Sequence, residues 1–383
     1  MNLEPFLLDR WLNTIESKKG GDSWDLASST GPVFTLRELL ALGDPADTLA
    51  KLLATPLTYT PMHGTLELRA AIAEAEGVEP EHVQVVTGAS EGLLALFALA
   101  AEPGANIVLP YPDFPAMTAL ARGFGLQVRH YPLQAEHGFR LDPEAVAARI
   151  DGRTHLVLVI SPHNPTGAVI APDELTWLHD VCVRWGVPFI CDQVYHPIYH
   201  GKPQPTAAHL PAAIVLGDFS KALCLSGLRV GWIVERDPIR RERLTDARAY
   251  FTISNNALGE ALAVHAMRHR QAILERAHRI VTRNLHLLET FFARHCDVFG
   301  WTRPAGGFTA FPWLTDGADT VELCTALNAE GIGLVPGRCF GAPTHFRIGF
   351  AASGERFAEG LAVLDAFVSS WFSKRDQPQR ARE

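Results

Sequence analysis

From about residue 66 to residue 236 the chain alternates short, almost wholly apolar runs with longer amphipathic ones, and this alternation constrains the fold more than any other feature. VQVVTG, NIVLP, LQVRHYPL, HLVLVIS, PFICD, AAIVLGDF and VGWIVE read as strands. LELRAAIAEAEG, SEGLLALFALAAE, FPAMTALARGFG, PEAVAARI and PDELTWLHDVCVRWG read as helices that precede or separate them. A strand that is apolar on both faces must be covered on both. Repeated strand–helix–strand units meet that need with a mostly parallel sheet and helices on its two sides. The expected class is therefore α/β. VGWIVE follows AAIVLGDF after a loop alone, which suits an antiparallel return.

The flanking segments read differently. Residues 3–18 suggest an amphipathic helix, and residues 20–34 a Gly/Ser/Thr/Pro-rich loop. Residues 239–295 hold no strand candidate and no proline, and are expected to form a long helix connecting two domains. The tail mixes strands (GGFTAFPWL, GIGLVPG, HFRIGF) with two helices, and its last ten residues are polar and expected to fray. The expected division is a large domain over residues 45–255. Residues 1–44 and 256–383 then form a smaller α+β domain from both termini.

Composition narrows the partners. The net charge is −8, and an acidic surface attracts neither nucleic acid nor an anionic membrane. No apolar run approaches the ~20 residues that span a bilayer, and the N-terminus lacks the uninterrupted apolar core of a signal peptide. The six cysteines include no C-x-x-C pair. They read as reduced thiols in a cytoplasmic protein, with no metal site.

In an open parallel sheet, ligands bind outside the carboxyl ends of the strands. Four strand ends here carry chemistry. VQVVT runs into Gly88, Ala89 and Ser90, and HLVLVI into SPHNPTG with Asn164. PFIC runs into Asp192 and Tyr195, and AIVLGDF into Ser220 and Lys221, with Arg229 following. Singly, each has an ordinary reading. A Gly/Ser turn caps a helix, an Asn before Pro-Thr-Gly is a turn residue, and a loop tyrosine packs. Arg347 in HFRIGF points inward to an anion or outward to water. Tyr111 and Phe114 in PYPDFP are loop aromatics unless a flat ligand needs a stacking face. Together, a lysine, a carboxylate, an anion cradle and an aromatic plate at one rim describe a site for pyridoxal phosphate (PLP).

SPHNPTG, DQVY and SKALCLSGLRVGW, in that order and spacing, resemble the fold-type I PLP-dependent aminotransferases of classes I and II. The likeness runs from YTPMHGTLELRAAIA at residue 59 to FRIGF at residue 350. It implies that Lys221 forms the internal aldimine and later shuttles the Cα proton. It implies that Asp192 holds the pyridine nitrogen, and that Asn164 and Tyr195 hydrogen-bond the ring oxygen. Gly88, Ala89, Ser90, Ser220 and Arg229 would hold the phosphate. Tyr59 would reach the phosphate of a neighbouring subunit, which implies a homodimer with shared active sites. Tyr111 is the expected stacking residue and Phe114 the alternative. Arg347, with Asn164, would bind the substrate carboxylate.

One stretch departs from the pattern. Many members have a glycine and a proline a few residues apart in the N-terminal segment lining the substrate pocket. Here DLASSTGPVFTLREL places Ser29, Thr30 and Gly31 there, with Pro32 directly after the glycine. Gly31 is the candidate substrate contact. This stretch also resembles the capreomycidine-synthase-like enzymes, which eliminate and cyclise a hydroxyarginine. The leading expectation is an aminotransferase that moves an amino group from an L-amino acid to a 2-oxo acid by a ping-pong mechanism. The alternative is a PLP-dependent lyase or cyclase, C–S lyase-like or capreomycidine-synthase-like. A non-catalytic binding protein on this fold is the third reading, and the full set of expected catalytic residues argues against it.

Overall fold

The computed structural model of the protein describes residues 3–16 and 23–380, with 373–380 described by backbone alone. All seven apolar runs form strands of one sheet. Its spatial order is Val83–Val86, Gly231–Val234, Ala213–Asp218, Phe189–Asp192, Thr154–Ile160, Asn106–Tyr111 and Gln127–Pro132. Gly231–Val234 is antiparallel to both neighbours, as its short connection requires. The other pairings are parallel.

The alternation of side chains across the pleat explains the continuous apolar runs. Val85, Val108, Val157, Val159, Cys191, Val215 and Val234 enter one core. Val86, Ile107, Leu109, Leu158, Ile190, Ile214, Leu216 and Ile233 enter the other. Helices Leu66–Glu76 and Pro172–Trp185 cover the first face with Leu68, Ile72, Leu175 and Leu178. Helices Ala89–Ala100 and Pro115–Gly123 cover the second with Leu93, Phe97 and Met117. Each fully buried branched or aromatic side chain is worth about 1.5–3 kcal/mol over an exposed one. The layered arrangement is therefore strongly favoured over any that leaves a face bare. Among the described residues, no helix is long and apolar enough to cross a membrane.

Three expectations change. The single long helix over 239–295 is three helices, Pro238–Phe251, Ala257–Arg268 and Arg270–Arg294. Ile253 takes a left-handed φ of 65°. Asn256 then caps the next helix by accepting from the Gly259 N–H at 3.0 Å. A second break falls at His269, whose φ of −111° leaves the helical region. Neither break uses glycine or proline. The N-terminal helix spans Leu7–Glu16, and residues 17–22, where it was expected to end and the loop to begin, lie outside the described residues. The supposed loop contains Trp24–Asp25, which pairs in parallel with Ile332–Gly333. The polar C-terminal stretch is helical to Arg380 rather than frayed, and residues 381–383 lie outside the described residues.

The tail forms a three-stranded antiparallel sheet with Phe346–Gly349 between Thr309–Ala310 and Val335–Pro336. All four residues of the central strand are buried. This brings Arg347 and the 25–30 segment up to the rim of the large sheet.

Candidate active site

The carboxyl ends of the large sheet open into a cavity of about 200 Å³. Ala89, Ser90, Asn164, Asp192, Tyr195, Ser220, Lys221 and Arg229 all line it. A second cavity of about 240 Å³ adjoins it, lined by Asp9, Asp25, Ser28, Ser29 and Arg347. Lys221, Thr30 and Phe114 line both. The topology thus gathers residues that lie far apart in the sequence.

Ser220 and Lys221 follow the strand Ala213–Asp218 after one residue, Phe219. The Lys221 ammonium donates to Ser29 Oγ at 3.1 Å and stands 5.9 Å from the centre of the Tyr195 ring. Tyr195 is buried, and its hydroxyl donates to the Ser29 carbonyl at 3.0 Å. Asp192 is buried at the end of its strand and accepts from the Val194 N–H at 3.2 Å. Arg347 faces inward with 1% exposure. It donates through Nη1 to Asn164 Oδ1 at 3.2 Å and through Nη2 to the Ala27 carbonyl at 2.8 Å.

Electrostatics follow from this burial. Desolvation first, and the neighbouring Arg347 cation second, lower the Lys221 amine to about 8 against the opposing pull of Asp218 and Asp192. Desolvation raises Asp192 to about 7, with a contribution from nearby Asp218. Tyr195 is pushed up to about 12, also by burial.

Not every expected residue reaches the cavity. Tyr111 is turned away, with its ring against His130 and its hydroxyl bonded to the Gly341 carbonyl. Phe114, the alternative, supplies the aromatic wall. Gly31 lies behind the lining, because a Cβ there would stand 2.3 Å from Cys224 Sγ and 3.1 Å from the Phe308 ring. Its neighbours Ser29 and Thr30 line the second cavity instead. Tyr59 is 76% exposed and outside both cavities. Asp218, which the sequence pattern does not single out, ends a strand just as Asp192 does. It lines the first cavity and accepts from the Ala89 N–H at 2.6 Å.

Two features test the fit of PLP. Gly88 has a φ of 74° and packs where any Cβ would fall 2.4 Å from Arg229 Nη2. Glycine there lets the guanidinium approach the start of helix Ala89–Ala100, as an anion cradle needs. Arg229 itself holds a left-handed φ of 52°, a strain on the order of 1 kcal/mol that aims its side chain there. Arg347 Nε is buried without a hydrogen-bond partner among the described residues. A buried guanidinium with an idle donor suits a carboxylate ligand. The donors, the paired lysine and carboxylate, and the Phe114 face fit a phosphorylated pyridine aldehyde and an amino acid.

Comparison with known proteins agrees. The family model "Aminotransferase class I and II" matches residues 49–362. Capreomycidine synthase of Streptomyces vinaceus is 34% identical over 350 residues, 89% of this chain and 88% of that one. A PLP-dependent aminotransferase from Streptococcus suis 89-1591 superposes with a TM-score of 0.89 at 27% identity, over 97% of this chain and 99% of that one. The PLP-dependent cyclase OrfR gives a TM-score of 0.83 at 27% identity, over 95% and 97%. The sheet, the cavity at its rim and these relatives lead to one assignment: the chain belongs to the class I and II aminotransferases, fold-type I enzymes whose cofactor is pyridoxal phosphate.

Proposed function

We propose that this enzyme acts on a free α-amino acid with a cationic side chain, and that it eliminates and cyclises that substrate in the manner of the capreomycidine-synthase-like group. The observation that carries the reading is the lining of the second cavity. Asp9 and Asp25 share its wall with Arg347 and Lys221, and among the described residues the one other arginine lining either cavity is Arg229, assigned to the cofactor phosphate. Burial raises the Asp9 carboxyl, as expected for an acid at a partly enclosed space with no partner among the described residues. The similarity to capreomycidine synthase and to a PLP-dependent cyclase supports the same reading.

Ala89, Ser90, Ser220 and Arg229 would hold the cofactor phosphate, with Tyr59 reaching in from a second copy of the chain. Asp192 would hold the ring nitrogen, Asn164 and Tyr195 the ring oxygen, and Phe114 one ring face. When bound, PLP takes up the substrate amino group and accepts the electron pair left at Cα. Arg347 would grip the substrate carboxylate and so orient the Cα–H bond toward Lys221. With its amine lowered to about 8, Lys221 is partly neutral near physiological pH and can take that proton at Nζ. In the cyclising reaction, a β-hydroxyl leaves as water and a side-chain nitrogen adds at Cβ with loss of its own proton. Lys221 then returns a proton to Cα, and the product is the substrate less one water.

The second reading is transamination, supported by the aminotransferase relatives. There Lys221 would take up the same Cα proton at Nζ, and bound PLP would supply the acceptor that retains the amino group while one water is consumed in releasing the 2-oxo acid.

The visible spectrum and products of the holoenzyme, with each L-amino acid in turn and with β-hydroxyarginine, separate the two. A product one water lighter, with the cofactor spectrum restored, supports cyclisation. A pyridoxamine spectrum with release of a 2-oxo acid moves the assignment to transamination and names the donor.

A further inference from the structure

Asp218 holds the donors that a phosphate group would use. It is the last residue of strand Ala213–Asp218 and is 6% exposed. One carboxylate oxygen accepts from the Ala89 N–H at 2.6 Å, and the other accepts from the Ser220 N–H. The Ala89 N–H opens helix Ala89–Ala100, whose N-cap is Gly88 and has no side chain to satisfy it. A carboxylate 129 residues away in sequence therefore serves as the cap. Arg229 reaches the same place. Its Nη1 donates to Ser220 Oγ at 3.2 Å. A Cβ on Gly88 would stand 2.4 Å from Arg229 Nη2 and 3.4 Å from Asp218 Oδ2, so guanidinium and carboxylate flank one glycine.

We propose that Asp218 is a resident anion of the phosphate cradle, competing with the cofactor phosphate for the Ala89 and Ser220 amides and thereby weakening PLP binding. The proposal rests on the phosphate seat assigned above to Ala89, Ser90, Ser220 and Arg229. The physical reason is twofold. A backbone N–H makes one strong hydrogen bond at a time, so phosphate and carboxylate cannot both use it fully. Two anions at one set of donors also repel. The same carboxylate keeps the helix start and the lysine loop tied together before the cofactor arrives. It thus exchanges cofactor affinity for order in the apoprotein.

The test is the dissociation constant of the apoprotein for PLP and for pyridoxal, which lacks the phosphate, read from the change in absorption on binding. Asp218→Asn keeps the shape and one acceptor oxygen, and Asp218→Ser keeps a hydroxyl acceptor should the asparagine variant fold poorly. The expected result is that PLP binds about tenfold more tightly to the variant while pyridoxal binding is unchanged. An equal gain for both ligands would overturn the proposal, because the carboxylate would then act through Lys221 or Asp192. Unchanged or weaker PLP binding, with a lower melting temperature, would also overturn it and leave Asp218 a structural cap. Arg229→Ala separates failure of the phosphate seat from failure of the proposal. If the seat is correct, this variant loses most of the preference for PLP over pyridoxal. If it retains that preference, the phosphate binds elsewhere.

Discussion

The ammonium of Lys221 donates to the hydroxyl of Ser29 at 3.1 Å, across 192 residues of sequence. The Ser29 carbonyl also accepts from the Tyr195 hydroxyl. One residue of the N-terminal segment thus holds two side chains of the large sheet's rim. Ser29→Ala removes the hydroxyl and keeps the carbonyl. We expect kcat to fall about 3- to 10-fold, the worth of one hydrogen bond, with little change in melting temperature. Steady-state kinetics beside a thermal melt will show this. An unchanged kcat places the hydroxyl outside the chemistry.

Lys221→Ala should abolish turnover and the lysine-linked visible chromophore. Absorbance after addition of PLP and a product assay check both. Retention of wild-type rates would remove Lys221 from the mechanism.

Arg347→Ala should lower kcat/KM by roughly 2–5 kcal/mol, mostly through KM, if a buried charge binds the substrate carboxylate. Arg347→Lys keeps the charge but not the forked donors that reach Asn164 and Ala27. It should recover only part of the loss.

Asp192 makes a pH-dependent prediction for the apoprotein. Burial raises its carboxyl from 3.8 to about 7. Between those values the folded state keeps a proton that the unfolded chain releases. Stability therefore falls as pH rises through this window, and the penalty is complete above about 7. Asp192→Asn should melt close to wild type near the lower value. Above the higher one it should be more stable, by an amount on the order of 4 kcal/mol, while PLP affinity collapses. Melting temperatures of both apoproteins across that pH range decide it. A gap that does not widen with pH would mean that Asp192 is not carrying the penalty.

Asp9 is exposed, so its effect should be small. Asp9→Asn should raise KM for a cationic substrate by a factor of about 2–5, as a partly solvated charge pair allows. A neutral amino acid should show no change. Equal effects on both classes would argue against charge selection by this cavity.

Much of this was present in local pattern. All seven strands of the large sheet were visible as apolar runs, because a strand covered on both faces needs apolar residues at every position. The antiparallel return of Gly231–Val234 followed from a connection too short for a crossover helix. The rim residues Asn164, Asp192, Ser220 and Lys221 were found because a strand end is recognisable in sequence and strand ends of one sheet share an edge. Asp218 satisfies the same rule, since it too ends a strand of that sheet. The breaks at Ile253 and His269 gave no such signal, since they use neither glycine nor proline and are set by packing and a side-chain cap. Local periodicity thus determined the strands of the large sheet and the edge on which the chemistry sits. Only the tertiary structure decided that Arg347 faces inward, that Phe114 rather than Tyr111 forms the aromatic wall, and that Ser29 rather than Gly31 meets the lysine. Each of these depends on which side chain is nearest when segments hundreds of residues apart pack together, and that distance is written in no local stretch of sequence.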